Sequence, residues 1–335
     1  MIIPVKTLNG GYDIVLKRGS LNELSLHLKL DRKVLIVTDS GVPKEYSQTV
    51  AKQCKTPFIV TIKEGEASKN FDNYKMLLQK LVEYDFARSD AVIAVGGGVV
   101  GDLAGFVAAS YMRGVDFYNI PTTVLSQVDS SIGGKVAIDF SGYKNLVGAF
   151  YPPKAVIIDP ETLKTLPERQ ISNGLAEAVK MALTSNAKLF DIFENKNIME
   201  NIHRIIEESL KIKRFVVEND ERETGLRKIL NFGHTLGHAI EVQKEGLYHG
   251  ECVALGMLPM CSNEIRKRLI KVLEKLNLPT KISFDSDKII EAMKHDKKIS
   301  GDSITVITVD EIGSYKMEDI KFLELASKLK EVENI

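Results

Sequence analysis

Short apolar runs alternate with helix-like segments through the first half of the chain. The strand-like runs are Lys33–Thr38, Pro57–Ile62, Ala91–Val95, Phe117–Ile120 and Ala155–Asp159. Between them, residues 71–84 have the spacing of an amphipathic helix, and a helical stretch follows Pro43. Continuous apolar strands separated by helices predict a mainly parallel sheet covered on both faces. We therefore expect an α/β, Rossmann-like domain over residues 1–159.

The pattern changes after residue 159. Helical periodicity dominates residues 160–335, including the long stretch 197–220. Near the end, residues 304–309 and 313–316 predict a small strand hairpin. The second domain, 160–335, is therefore expected to be mainly α-helical.

Composition narrows the class of function. The chain has 45 basic and 45 acidic residues, so its formal net charge is zero. It lacks the excess of positive charge that is typical of proteins that bind nucleic acids or anionic membranes. No apolar run approaches the ~18 residues of a membrane span, and the N-terminus has no signal-peptide pattern. Three cysteines without paired spacing indicate reduced thiols, with Cys252 a small core residue. We expect a cytoplasmic protein.

A glycine-rich loop follows the Ala91–Val95 strand. Gly96, Gly98 and Gly101 fit the pattern Gly-x-Gly-x-x-Gly, with a strand before and a helical pattern after. Glycines let a backbone approach a pyrophosphate, and the helix N-terminus supplies free N–H groups. A dinucleotide is the predicted occupant. Asp39, at the end of an earlier strand, either accepts a ribose hydroxyl or serves turn chemistry.

Three of the six histidines lie within nineteen residues, at His234, His238 and His249. His234 and His238 are four apart and share one helix face, which is a common half-site for zinc. Structural histidines are the alternative. The glycines crowding this segment are weak helix formers, which indicates a close approach to the backbone and favours a metal site.

A carboxylate candidate lies upstream, where Asn173 is expected to cap a helix with an apolar stripe. Glu177 and Lys180 flank that stripe and are neighbours on the helix. An exposed ion pair is the alternative. Together with the histidines, Glu177 becomes the leading carboxylate ligand.

Cations and hydroxyl residues accumulate between 121 and 153. Lys135 follows a glycine pair, Lys144 precedes Asn145, and Arg113 and Arg227 lie near the other candidate segments. In glycine-rich, low-charge surroundings they indicate an anion pocket. A nicotinamide, a metal and an anion pocket together predict alcohol oxidation of a phosphorylated or carboxylated substrate.

These motifs resemble the 3-dehydroquinate synthase family over nearly the whole chain and in the same order. The matching segments are 96–102, 121–123, 129–135, 144–145, 174–177, 231–238 and 249–251. The resemblance implies a dehydroquinate synthase-like fold, an active site in the interdomain cleft, and a cytoplasmic homodimer in aromatic amino acid biosynthesis. It implies NAD+ and a divalent metal, Zn²⁺ or Co²⁺, acting on a small phosphorylated substrate. The implied reaction is transient oxidation, phosphate elimination, reduction and aldol closure.

The resemblance also implies roles for individual residues. The metal ligands would be Glu177, His234 and His249, with His238 facing substrate, which revises the first hypothesis. The catalytic residues would be Lys135, Lys180, Lys213 and His238. The substrate contacts would be Arg113, Asp129, Asn145, Arg227, Asn231 and either Lys297 or Lys298, with Arg113 reaching across a dimer interface. The NAD contacts would be Asp39, Glu64, Gly65, Glu66, Lys69, Gly98, Val99, Val100, Gly101, Asp102, Thr122, Thr123, Lys135, Lys144, Thr162, Leu163, Lys164 and Thr165.

One segment departs from the family pattern. After Lys135 the family usually has Thr-Gly-Ile-Asn, whereas residues 136–139 are Val-Ala-Ile-Asp, which is expected to change loop polarity beside Lys135. Three alternatives remain: a related sugar phosphate cyclase, a metal-dependent glycerol or polyol dehydrogenase, and a non-catalytic binding protein. The dehydrogenase would release NADH, whereas the synthase would not.

Overall fold

The computed structural model describes residues 1–8, 10–243, 246–281, 303–322, 324, 325, 327 and 328. The chain divides into two compact units, Met1–Pro167 and Glu168–Ile335. Residues 160–167, which the sequence pattern assigns to the second domain, thus belong to the first unit. The Asp159 carboxylate explains this, because it accepts hydrogen bonds from the backbone N–H groups of Gly19, Leu21 and Glu161.

The first unit contains a seven-stranded sheet in the order β1-β2-β9-β6-β5-β3-β4. Only β1 and β2 pair antiparallel, and the other five pairs are parallel, which confirms the mainly parallel prediction. The strands of this sheet are β1 (Ile2–Thr7), β2 (Gly10–Leu16), β3 (Lys33–Asp39), β4 (Thr56–Ile62), β5 (Ala91–Gly96), β6 (Asp116–Pro121) and β9 (Ala155–Ile158).

The core lies on both faces of this sheet. In β3, Leu35 and Val37 pack with helices on one face, while Val34 and Ile36 pack into a second cluster on the other. Successive side chains of a strand point to opposite faces, so a strand covered on both sides is apolar throughout. The described part of this unit contains three α-helices, α1 (Lys44–Ala51), α2 (Phe71–Glu83) and α3 (Gly98–Ser110).

Two hairpins of the first unit are absent from the sequence prediction. One is β1–β2, where Pro4 and the Gly10–Gly11 pair obscure the strand signal. The other is formed by β7 (Lys135–Phe140) and β8 (Tyr143–Phe150), in the 121–153 region, whose lysines and glycines predict an anion pocket. Its Gly148 looks like a loop residue, but a Cβ there would lie 2.2 Å from the Val136 carbonyl oxygen.

The second unit is mainly helical, as predicted. Its helices are α4 (Glu168–Ser185), α5 (Ala187–Asn195), α6 (Ile202–Asn219), α7 (His234–Gln243), α8 (His249–Met257) and α9 (Asn263–Lys275). The predicted late hairpin is confirmed as β10 (Ser303–Thr308) and β11 (Lys316–Lys321), but its second strand begins at Lys316, where the predicted strand 313–316 ends. Within the described ranges, no helix is both long and apolar enough to cross a membrane.

The start of α4 differs from the prediction. The helix begins at Glu168, so Asn173 lies inside it and is not its N-cap. The Asn173 side chain is buried and accepts a 2.6 Å hydrogen bond from the backbone N–H of Gly250 in α8. The residue therefore joins two helices.

Candidate active site

Three helices of the second unit bring a carboxylate and two imidazoles together. Glu177 lies in the middle of α4, whereas His234 and His249 are the first residues of α7 and α8. Oε1 of Glu177 is 3.5 Å from Nε2 of His234 and 3.4 Å from Nε2 of His249. All three proposed metal ligands thus converge on one point.

The environment of Glu177 fits a metal ion. The side chain is fully buried, and its Oε1 has no hydrogen-bond partner among the described residues. A buried carboxylate needs a cation, and Lys180 forms an ion pair with the other oxygen, Oε2. The remaining oxygen and the two imidazole nitrogens form a donor set typical of a catalytic zinc site.

The pKa values of these groups are strongly perturbed. Burial raises the pKa of Glu177, but Lys180 and the two histidines outweigh it and hold that pKa well below its usual range. Burial and then Lys180 lower the pKa of His234 well below its ordinary value, so this imidazole is neutral. Burial lowers the pKa of His249, but the neighbouring carboxylates of Glu177 and Glu241 outweigh it and raise that pKa to about 9. At neutral pH the raised pKa keeps His249 protonated, and a metal ion that bound this ring would displace one proton, because a ligating imidazole is neutral.

His238 provides a fourth candidate ligand. Nitrogen atoms of His234, His238 and His249 all lie within 4.8 Å of one another. The ring centroids of His234 and His238 are 5.3 Å apart, as expected from their spacing on α7. His238 differs from Glu177 in being exposed, whereas Glu177 is fully buried.

The glycines of this region serve helix packing. A Cβ on Gly250 would lie 1.9 Å from the Asn173 carbonyl oxygen, and one on Gly256 would lie 2.0 Å from that of Gly233. Gly237 is closer to ordinary contact, with a Cβ 3.1 Å from the Cys252 carbonyl oxygen. The close approach predicted from the sequence is therefore that of a neighbouring helix backbone.

Three cations that the resemblance assigns to the active site, as catalytic residues or substrate contacts, are buried in the second unit. Lys180, Lys213 and Arg227 expose 1%, 5% and 4% of their surface, respectively. Buried cations are uncommon unless they are paired or bind a ligand. The Arg227 guanidinium donates to the Glu221 carbonyl oxygen, and Asn231 donates to the Glu223 carboxylate.

Apart from Lys135 and Lys144, the predicted nucleotide residues lie at or after the carboxyl ends of five adjacent strands of the first unit, β9, β6, β5, β3 and β4. After β3 the chain continues to β4 at one edge of the sheet, whereas after β5 it continues to β6 in the opposite direction. The strands β3 and β5 therefore flank a topological switch point, which is where α/β proteins bind nucleotides. The glycine loop connects β5 to α3 as predicted. Thr122, after β6, donates its N–H to Gly96, and Thr123 lies beside Gly97.

The position of Asp39 at the end of β3 bears on both interpretations of this residue. Its Oδ1 accepts hydrogen bonds from the backbone N–H groups of Gly41 and Val42, which is the predicted turn chemistry. Nearby, Glu64 donates its N–H to Ser40. Asp39 and the start of the 64–69 segment are thus neighbours.

Lys69 connects this segment to the glycine-loop helix. Its buried ammonium pairs with Glu66 at 2.6 Å, Asp102 at 3.4 Å and Asp139 at 3.8 Å. Burial raises the pKa of Asp102 to about 7, against the lowering effect of Lys69. The 162–165 segment lies in a 3-10 helix held by Gln127 and Tyr46.

The β7–β8 hairpin separates Lys135 from two other predicted site residues. Lys135 starts β7 and pairs with Phe150, whereas Lys144 and Asn145 follow the turn at the other end. At ~3.4 Å per residue, Lys135 and the pair Lys144 and Asn145 are about 14 Å apart along the strands. Asp129 lies in a π-helix, Ser126–Ser130, and Lys297 and Lys298 lie outside the described residues.

The departure from the family pattern affects the core more than the site. Val136 is buried, and a Cβ on Gly105 of α3 would lie 2.4 Å from its side chain. The expectation of altered polarity beside Lys135 therefore does not hold for this position. Asp139 is the altered residue with polar contacts: its carboxylate pairs with Lys69 and accepts a hydrogen bond from the backbone N–H of Asn145.

Two supporting residues are absent from the sequence prediction. Glu241 approaches Nδ1 of His249, and it follows His234 by seven and His238 by three positions, so helical spacing could have revealed it. Arg169 holds Glu251 through two hydrogen bonds of 2.7 and 2.8 Å and stacks on Tyr248. Its partner lies 82 residues away, and no local pattern signals that pair.

The fold class is that of the sugar phosphate cyclases. A 2-deoxy-scyllo-inosose synthase, solved with carbaglucose-6-phosphate, NAD+ and Co²⁺, superposes with a TM-score of 0.89, at 24% identity and 99% coverage of both chains. ValA, a 2-epi-5-epi-valiolone synthase from Streptomyces hygroscopicus solved with NAD+ and Zn²⁺, has a TM-score of 0.88, at 25% identity, covering 96% of this chain and 97% of that one.

Within that class, the chain belongs to the 3-dehydroquinate synthase family. The family's N-terminal model matches residues 59–173, and its C-terminal model matches residues 174–299. The 3-dehydroquinate synthase of Clostridium acetobutylicum is 39% identical over 344 aligned residues, covering 96% of this chain and 97% of that protein. The resemblance inferred from the motifs is confirmed.

Proposed function

We propose that the protein converts 3-deoxy-D-arabino-heptulosonate 7-phosphate to 3-dehydroquinate and phosphate, as a carbon–oxygen lyase of the shikimate pathway. One observation carries the proposal: a chain similar to 3-dehydroquinate synthases over 96% of its length places Glu177, His234 and His249 around one point. When bound, NAD+ would take up and return a hydride, and a divalent metal would acidify a substrate hydroxyl.

The metal would be held by Glu177, His234 and His249, with His238 facing the substrate. Oε1 of Glu177 supports this set, because it is buried, has no hydrogen-bond partner among the described residues and faces Nε2 of both histidines. Lys180 holds the other oxygen, which keeps the carboxylate ionised and oriented. Zn²⁺ or Co²⁺ suits these nitrogen and oxygen donors.

NAD+ would be held by the first unit. The N-terminus of α3 offers backbone N–H groups to the pyrophosphate, and Gly97 has no side chain to obstruct it. Asp39 would accept a ribose hydroxyl from its place beside the glycine loop. The 64–69, 122–123 and 162–165 segments would complete the cradle, with Lys135 and Lys144.

Substrate anions would be held by the buried cations. Lys213, Arg227 and Lys180, with Asn231, offer fixed donors to phosphate, carboxylate and hydroxyl groups. Fixed donors suit a reaction in which one substrate must stay oriented through several steps. His238, which is exposed beside the proposed ligands, would exchange a proton with the substrate.

The protein would act as a cytoplasmic homodimer. Arg113 ends the segment that follows α3, so it lies roughly 20 Å along the helix from the glycine loop at the opposite end. That separation supports a role for Arg113 in the partner's site. The β7–β8 hairpin supports an interface, because it exposes the apolar side chains Phe140, Tyr143, Leu146 and Phe150.

The test is a phosphate-release assay with 3-deoxy-D-arabino-heptulosonate 7-phosphate, catalytic NAD+ and Zn²⁺, with NADH absorbance followed throughout. We expect one phosphate and one 3-dehydroquinate per substrate without NADH accumulation. NADH accumulation with glycerol or a polyol would instead identify a dehydrogenase. Phosphate release only from a hexose or heptulose phosphate would identify another cyclase. Folded, metal-loaded protein inactive on all of these would refute the enzyme proposal.

A further inference from the structure

The two imidazoles of the proposed metal site are held by different acceptors. Nδ1 of His234 lies 3.2 Å from the backbone carbonyl oxygen of Phe232. Nδ1 of His249 instead lies 3.3 Å from Oε2 of Glu241, a carboxylate from the neighbouring helix α7. In both rings, Nε2 is the nitrogen that faces Glu177.

These contacts determine which nitrogen carries the proton. When Nδ1 donates to an acceptor, the neutral ring has its lone pair on Nε2, which is the atom that a metal needs. A carboxylate acceptor forms a stronger, charge-assisted hydrogen bond than a carbonyl and raises the basicity of the ligating nitrogen. The ring of His249 is therefore held by a stronger hydrogen bond than the ring of His234.

Glu241 is also placed to orient its ring. Its side chain is only 15% exposed, whereas that of His249 is 30% exposed, so the more accessible ligand depends on the more buried support. His249 begins α8, and the 244–245 segment before it lies outside the described residues. The contact with Glu241 of α7 thus fixes the imidazole ring of His249 at the start of α8.

We propose that Glu241 is the positioning residue for His249 and controls the affinity of the site for its divalent metal. This inference rests on the proposed function, because it assumes that His249 is a ligand. Glu241 would not touch the metal. It would hold the Nδ1–H tautomer, aim Nε2 at the ion and strengthen the metal–nitrogen bond.

The test compares Zn²⁺ affinity in the full-length wild type, Glu241→Gln and Glu241→Ala, by competition with a chromophoric chelator. We expect both variants to bind Zn²⁺ about 10- to 100-fold more weakly, with Ala weaker than Gln. Gln can still accept the hydrogen bond but lacks the charge. The visible absorption of Co²⁺-loaded protein should shift in both variants, since the coordination of His249 changes.

Glu274→Gln is the matched control, because it removes the same charge from an exposed position in α9. Wild-type Zn²⁺ affinity and Co²⁺ absorption in Glu241→Gln would overturn the inference. An equal loss in Glu274→Gln would also overturn it, by showing an effect of net charge. If Glu241→Ala does not fold, the Gln variant decides. A wild type that binds no Zn²⁺ would refute the proposed metal site itself.

Discussion

Gly250 provides a direct test of how helix packing supports the metal site. In Gly250→Ala, the new Cβ would lie 1.9 Å from the Asn173 carbonyl oxygen and 2.9 Å from its side-chain oxygen. Both are far below ordinary contact, and one atom belongs to the backbone of α4. The start of α8 must therefore move away from α4 by about 1.5 Å to reach 3.4 Å.

The expected loss of stability follows from three contributions. Overpacking of this kind costs about 1–3 kcal/mol. Movement also breaks the buried hydrogen bond from Gly250 to Asn173, at about 1–3 kcal/mol. Alanine recovers at most about 1 kcal/mol of helix propensity. We expect the free energy of unfolding to fall by about 1–5 kcal/mol.

Gly237→Ala is the matched comparison within the same helix pair. Its Cβ would lie 3.1 Å from the Cys252 carbonyl oxygen, so the neighbour needs to move by only a few tenths of an ångström. The propensity gain should offset that cost. Urea unfolding would measure stability, and chelator competition would measure Zn²⁺ affinity, which should fall only in Gly250→Ala as His249 moves from Glu177. Equal behaviour of the two variants would refute this reasoning.

Three further predictions concern single positions. His249→Ala should abolish Zn²⁺ binding and activity while preserving the circular dichroism spectrum; a metal-replete, active variant would contradict its role as a ligand. Val136→Thr buries a hydroxyl in the core and should lower the free energy of unfolding by about 1–3 kcal/mol in urea while leaving kcat unchanged; a loss of activity without a loss of stability would place this side chain in the site. Burial raises the pKa of Asp220, but hydrogen bonds from Arg227, Gly225 and Thr224 outweigh it and lower the pKa from 3.8 to about 2. Its stabilisation is thus present above pH 3.8 and lost as the pH falls towards 2, so unfolding measurements should show a steeper acid loss in the wild type than in Asp220→Asn.

The sequence predicts those features that a local pattern encodes. The buried strands from Lys33 to Ile158 are visible because a strand covered on both faces is apolar throughout. The strand–glycine loop–helix order is visible because it is contiguous. The convergence of Glu177 with His234 and His249 follows from the family resemblance, since residues 57 and 72 positions apart carry no local signal of contact.

Features that depend on tertiary contact are not predictable in this way. Asn173 has the chemistry of an N-cap, but tertiary packing starts α4 earlier and uses its amide between helices. Glycines that suggest ligand approach instead accommodate neighbouring backbone, because the sequence does not identify which atom fills the space. The β7–β8 hairpin is concealed by glycine and lysine in positions that local pattern assigns to loops.

The division of the chain has a consequence for the order of cofactor binding. Every proposed metal ligand lies in Glu168–Ile335, and every proposed nucleotide contact lies in Met1–Pro167. Neither cofactor shares a ligand with the other, so each can be loaded first. If saturating Zn²⁺ changes the dissociation constant of NAD+, the effect must be transmitted between the units, and NAD+ must alter Zn²⁺ affinity by the same factor.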